Sequence, residues 1–133
     1  MSLFNNTSPE RIDIKTTFSE IIDVYKETTF ISITEIVKRD NAKINESWIA
    51  TCILPDGKYD GQHKTIIASK IVNKTFLVIK SSCYGTTFIC KNDRSSITLI
   101  WDQNEKQWCL LNENGMHDVY NEQSLQAYIS SPF

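Results

Sequence analysis

Leu54-Pro55-Asp56-Gly57-Lys58-Tyr59-Asp60-Gly61-Gln62 is the stretch whose reading decides the fold. Proline has no N–H to give to a sheet ladder, so a strand that reaches Leu54 ends there. Two Asp-Gly pairs then follow within six residues. Such pairs supply the backbone angles and local side-chain bonds of tight turns. The stretch therefore divides two strands and opens no helix.

Working outward, Ser47 to Leu54 reads as the strand before the turn, with Trp48, Ala50 and Cys52 on one face. Upstream, Thr28 to Val37 alternates, Ile31 and Ile33 against Ser32 and Thr34, as a half-buried strand does. Thr17-Phe18-Ser19-Glu20 has the form of a capping box for a short helix over Ile21 to Tyr25, but alternation in the same residues favours a strand. Downstream, Lys64 to Val72 and Lys74 to Lys80 are apolar runs separated by Asn73 and read as a hairpin. Thr86 to Cys90 is a further short strand. Ile97 to Trp101 and Trp108 to Leu111 flank a polar loop and make a second hairpin, closed by Asn112 to Gly115. Asn121 is a candidate helix cap, with Leu125, Tyr128 and Ile129 on one side of the turns that follow.

About eight short strands at regular spacing predict an all-β fold, a single antiparallel sandwich or barrel of jelly-roll-like form. The β-domain spans 18–115. Residues 1–17 form an N-terminal arm that orders against a partner or against its own domain, and 116–133 form a tail or short helix. The length of 133 residues and a composition of 41% hydrophobic and 23% charged residues suit one globular domain. No apolar run approaches the length of a membrane span. Met1 to Asn6 has no signal-peptide pattern, so synthesis in the cytoplasm is expected.

The net charge of −2 gives nothing to draw the chain to nucleic acid or membrane. Its distribution is uneven. Gly61 to Asn92 holds five lysines (Lys64, Lys70, Lys74, Lys80, Lys91) and no acid, whereas Asp93 onward holds six acids and two bases. These stretches either pair across a sheet or join one copy to another.

Chemistry is sparse. Cys52, Cys83, Cys90 and Cys109 show no metal or redox spacing and sit in apolar runs, as buried free thiols do. Cys83 with His63 is the one nucleophile–base pair to weigh. Asp56 and Asp60 could together hold calcium, but turn chemistry accounts for both. Trp48, Trp101 and Trp108 could stack on sugar or base rings, although tryptophans within apolar strands belong to a core. No catalytic, cofactor-binding or metal residue is assigned, no cofactor is expected, and the chain reads as a non-enzyme.

The order Leu54-Pro55-Asp56-Gly57, Asp60-Gly61-Gln62-x-Lys64-x-Ile66, Gly85-Thr86-Thr87, Ser96 to Trp101, Trp108-x-Leu110 and Asn114-Gly115 resembles a small β-domain. That domain recurs in structural proteins of large DNA viruses of algae and amoebae and of marine phages. The likeness covers about residues 28–115 and carries no site motif. It implies a virion structural protein, a minor capsid or spike-associated component made in the host cytoplasm. Its expected partners are itself, as a homo-oligomer with a trimer favoured, and other capsid proteins. The alternative is a glycan-binding β-domain on a virus surface, using Tyr59, Tyr84 or a tryptophan. A small hydrolase built on Cys83 or His63 ranks last. In this motif Gln62 is expected to bond backbone across the turn, and Lys64 to lay its stem over a sheet edge.

Overall fold

A computed structural model describes residues 8–37, 48–82, 87–119 and 121–130. In these residues the chain forms β1 (Glu10–Lys15), β2 (Ser19–Ile21), β3 (Thr28–Glu35), β4 (Ile49–Leu54), β5 (His63–Ile71) and β6 (Phe76–Ser81). It continues through β7 (Thr87–Cys90), β8 (Ser95–Asp102), β9 (Gln107–Asn114), β10 (His117–Val119) and the helix α1 (Glu122–Ser130). The strands make two five-stranded sheets, β1-β3-β5-β8-β9 and β10-β7-β6-β4-β2. Side chains from both sheets share one apolar core, so the expected all-β sandwich is observed.

The sheets are mixed and not antiparallel throughout. The first six strands alternate between the sheets, so each return to a sheet runs in the same direction as the visit before. Hence β1, β3 and β5 pair in parallel, as do β2, β4 and β6. Hairpins join β6 to β7 and β8 to β9, and those pairs are antiparallel. The path is a coil of sheet-to-sheet corners in place of a jelly roll. The expected hairpin of 64–72 with 74–80 is likewise corrected. β5 and β6 lie in different sheets, because the chain turns through Asn73 and Lys74 and crosses the core.

Left-handed residues mark these corners. Thr17 (φ 71°), Gly61 (φ 83°), Lys74 (φ 65°), Arg94 (φ 68°) and Gly115 (φ 84°) each lie where the chain leaves one sheet for the other. A non-glycine residue in this region costs roughly 1–2 kcal/mol, which the packing of the strands on either side offsets.

Inward positions of β3, β5 and β8 place Ile31, Ile33, Ile66, Ala68, Ile97, Leu99 and Trp101 in the core, all essentially without exposure. Burying one such large aliphatic side chain contributes about 1.5–3 kcal/mol. A second cluster covers the outer face of the other sheet, where Leu125 and Ile129 of α1 pack with Phe76, Val78, Ile89 and Val119. That cover explains why four successive residues of β6, Phe76 to Ile79, are all buried. Asn121 caps α1 as expected, its Oδ1 accepting from the Ser124 N–H at 2.8 Å. Trp48 packs with this second cluster and not with Ala50 and Cys52, because the regular strand begins only at Ile49.

Residues 1–17 are not an irregular arm throughout. Glu10–Lys15 is the edge strand of the first sheet, paired in parallel with β3, so this part orders against its own domain. The Thr17 to Glu20 region forms the corner and the short strand β2, not a helix.

Candidate functional site

The 54–62 turn redirects the chain from β4 in one sheet to β5 in the other, and its Asp56, Asp60 and Gln62 side chains each have a definite partner. Asp56 Oδ1 accepts from Ser82 Oγ at 2.9 Å. Asp60 Oδ1 accepts from the Gln103 N–H at 3.0 Å. The two carboxylates thus serve different segments. Among the described residues, no group of three His, Cys, Asp or Glu side chains could hold a metal ion. Gly61 needs its left-handed backbone. Gly57 is glycine for another reason: a Cβ there would lie inside the Trp101 indole.

Gln62 is buried and bonds across the turn in both senses. Its Oε1 accepts from the Lys58 N–H, and its Nε2 donates to Val24 O at 2.9 Å. Lys64 departs from expectation. It is on β5, the middle strand of its sheet, shares the inward face with Ile66 and Ala68, and is completely buried. Its Nζ donates to Asp23 O at 3.0 Å, Lys26 O at 2.7 Å and Thr29 Oγ1 at 2.7 Å. Thr29 Oγ1 in turn donates to Glu10 Oε1 at 2.8 Å, and the same carboxylate oxygen accepts from the Asp23 N–H at 2.9 Å. Burial pushes the Lys64 ammonium down to about 8, against the opposing pull of the Glu10 and Asp23 carboxylates.

The Gly-Gln-x-Lys segment is therefore a clamp. Gln62 holds Val24, and Lys64 holds Asp23 and Lys26, so residues 23–27 are fastened at both sides of Tyr25. Asp23 completes the turn locally, its Oδ1 accepting from the Tyr25 N–H at 3.0 Å. The clamped loop and the 59–63 turn enclose a cleft of about 190 Å3 lined by Tyr25, Lys26, Glu27, Tyr59 and His63, with Gln62 among its walls. Tyr25 is 73% exposed and Tyr59 62% exposed. His63 Nδ1 donates to Gly61 O at 3.1 Å, which leaves Nε2 as an acceptor in the neutral ring.

Two other surfaces carry exposed apolar side chains. Leu110 and Leu111 lie on β9, an edge strand, at a bulge where Leu99 pairs with Leu110 and Thr98 with Asn112. Phe18 and Ile21 lie at the opposite end of the sandwich, beside the edge strands β1 and β2. A depression of about 240 Å3 lined by Asp13, Ile14, Lys15, Phe18 and Glu20 accompanies them.

The remaining sequence candidates separate cleanly. Trp101 and Trp108 are core, their rings edge to face at 5.2 Å between centroids. Trp108 Nε1 donates to Pro55 O at 3.0 Å, tying β9 to the turn. Cys52 and Cys90 are buried free thiols that burial pushes up to about 12, and Cys109 is free and half-buried. Cys83 and Tyr84 lie outside the described residues. Lys64 is withdrawn from the basic stretch into the core, so it takes part in neither of the pairings considered for that stretch. Tyr25, Thr29 and Glu10 escaped the reading of the sequence, since no local pattern links residues from three separate strands and loops.

The architecture defines the chain as an all-β, two-sheet sandwich with a clamped loop at one corner. Searches against protein-family models and curated protein sequences find no match.

Proposed function

We propose that the chain is a non-enzymatic structural component of a virus particle that works by joining copies of itself and other capsid proteins. The observation that carries this reading is the pair of apolar patches at opposite ends of the sandwich, Leu110 with Leu111 and Phe18 with Ile21. Both flank open sheet edges, and the second lies beside a depression able to receive the leucines of a neighbour. Complementary patches on opposite ends favour head-to-tail contact, which closes into a ring when the rotation allows it. A cyclic trimer is the closed form proposed, and the resemblance of the turn and hairpin motifs to viral structural domains supports the setting.

Native mass spectrometry and light scattering of the whole chain test the assembly. A closed oligomer that is lost in Leu111→Lys and in Ile21→Lys, each still folded, is the expected result. Mixing the two variants restores one interface only and yields a dimer of unlike copies. A monomer at high concentration, or an oligomer indifferent to Ile21, overturns the head-to-tail reading. Absence of the chain from purified particles of the virus that encodes it overturns the virion role.

A further inference from the structure

We propose that the cleft between Tyr25 and Tyr59 is a carbohydrate site that takes a single pyranose ring. It goes beyond the assembly reading and does not depend on it, because the cleft uses neither apolar patch.

Three observations converge on this ligand class. First, the two tyrosines line one cleft with most of their surface in water, and Lys58 Nζ stands 5.6 Å from the centroid of the Tyr25 ring. A tyrosine ring is a rigid, amphipathic contact with little rotamer entropy to lose on binding. Its face suits the C–H side of a pyranose, and its hydroxyl suits the sugar's own hydroxyls.

Second, the remaining lining is polar and mixed in role. Glu27 brings a carboxylate, Lys26 an ammonium, and His63 an imidazole whose Nδ1 donates to Gly61 O. A hydroxyl-rich ligand needs both donors and acceptors around one ring, whereas a purely anionic ligand would not face a carboxylate. A volume of about 190 Å3 is smaller than the roughly 300–1,000 Å3 of sites for drug-sized molecules, which limits the occupant to one sugar unit.

Third, the cleft is built in advance. Buried Gln62 and Lys64 hold the carbonyls of Val24, Asp23 and Lys26, so the loop bearing Tyr25 is ordered before any ligand arrives. Pre-ordered walls lower the entropic cost of binding a small polar molecule. A fully buried ammonium serving a surface loop is a costly arrangement for the sake of a turn alone.

The test is saturation-transfer NMR on the intact chain with methyl glycosides of glucose, galactose, mannose, N-acetylglucosamine and sialic acid as probes. At least one probe is expected to receive saturation on its ring C–H protons. The signal falls by about fivefold or more in Tyr25→Ala and in Tyr59→Ala, the loss expected of one aromatic contact. Both residues are exposed, so circular dichroism of these variants stays native, and Tyr25→Phe retains the signal. Leu111→Lys also retains it, which separates this site from the assembly surface. No transfer from any of the probes, or transfer that survives in both alanine variants, overturns the proposal.

Discussion

Lys64 Nζ donates to the carbonyl of Lys26 at 2.7 Å from inside the core, so the middle strand of one sheet holds down a surface loop. The bond belongs to a set of three that includes Asp23 O and Thr29 Oγ1. Removing the donor leaves the buried-side bond to Lys26 O unmade, while Asp23 O keeps only its 3.2 Å bond from the Lys26 N–H. Lys64→Met, which keeps the stem and deletes the charge, is expected to lower the unfolding free energy by about 2 kcal/mol. Urea denaturation measures that loss. Amide hydrogen exchange should show the change concentrated at residues 23–27, and an even increase over the whole chain would contradict the clamp.

The same lysine makes stability depend on alkaline pH. Its ammonium titrates at about 8 in the folded chain against 10.5 in the unfolded one. Below about 8 both states carry the proton and the cost of burying it is present in full. Between about 8 and 10.5 only the unfolded chain holds it, so stability rises with pH there, at no more than roughly 1.4 kcal/mol per unit. The stability difference between the native chain and Lys64→Met therefore widens over this window. A constant difference from pH 7 to 10.5 would show that Lys64 titrates normally.

Gly57 and Gly61 are glycines for unlike reasons, and alanine separates them. Gly57→Ala drives a methyl into the Trp101 ring and should cost about 1–3 kcal/mol through overpacking, with a shifted tryptophan emission. Gly61→Ala meets no atom but must hold a positive φ, costing about 1–2 kcal/mol and leaving the emission unchanged. Equal emission changes in the two variants would count against this division.

Thiol reactivity should follow burial. With their thiols pushed up to about 12, Cys52 and Cys90 stay unlabelled by iodoacetamide in the native chain at pH 8. Peptide mass spectrometry should find label on Cys109 well before either of them. Label on Cys52 before Cys109 would mean that the core opens locally.

Much of the strand content was legible, because alternation and turn residues act over a few positions. Ile31 and Ile33 were read as sharing one face, and Trp48, Ala50 and Cys52 another; all but Trp48 are buried in the common core. The turn at 54–62 was expected to divide two strands and does so, and it also carries the chain from one sheet to the other. Asn121 was read as a cap and is one. The pairing of strands was less legible. Asn73 suggested a hairpin, but a short polar turn suits a sheet-to-sheet corner equally well, and only the core packing chooses between them.

Lys64 shows the boundary most clearly. Read along the chain, it is one lysine in a basic stretch, and a lysine near a turn belongs by default at the surface. Its burial depends on Glu10, Asp23, Lys26 and Thr29 arriving from distant positions to receive its charge, which no local pattern records. The sequence by itself determined that this protein is all-β, as a sandwich or a barrel, and that the 54–62 segment ends one strand and precedes another, since those are matters of periodicity and turn chemistry. The choice of a sandwich came from the packing of the two sheets. Only the tertiary structure decided that Gln62 and Lys64 form a clamp and that Tyr25 and Tyr59 share a cleft. The physical reason is that buried charge and surface clefts are made by contacts between residues far apart in the chain.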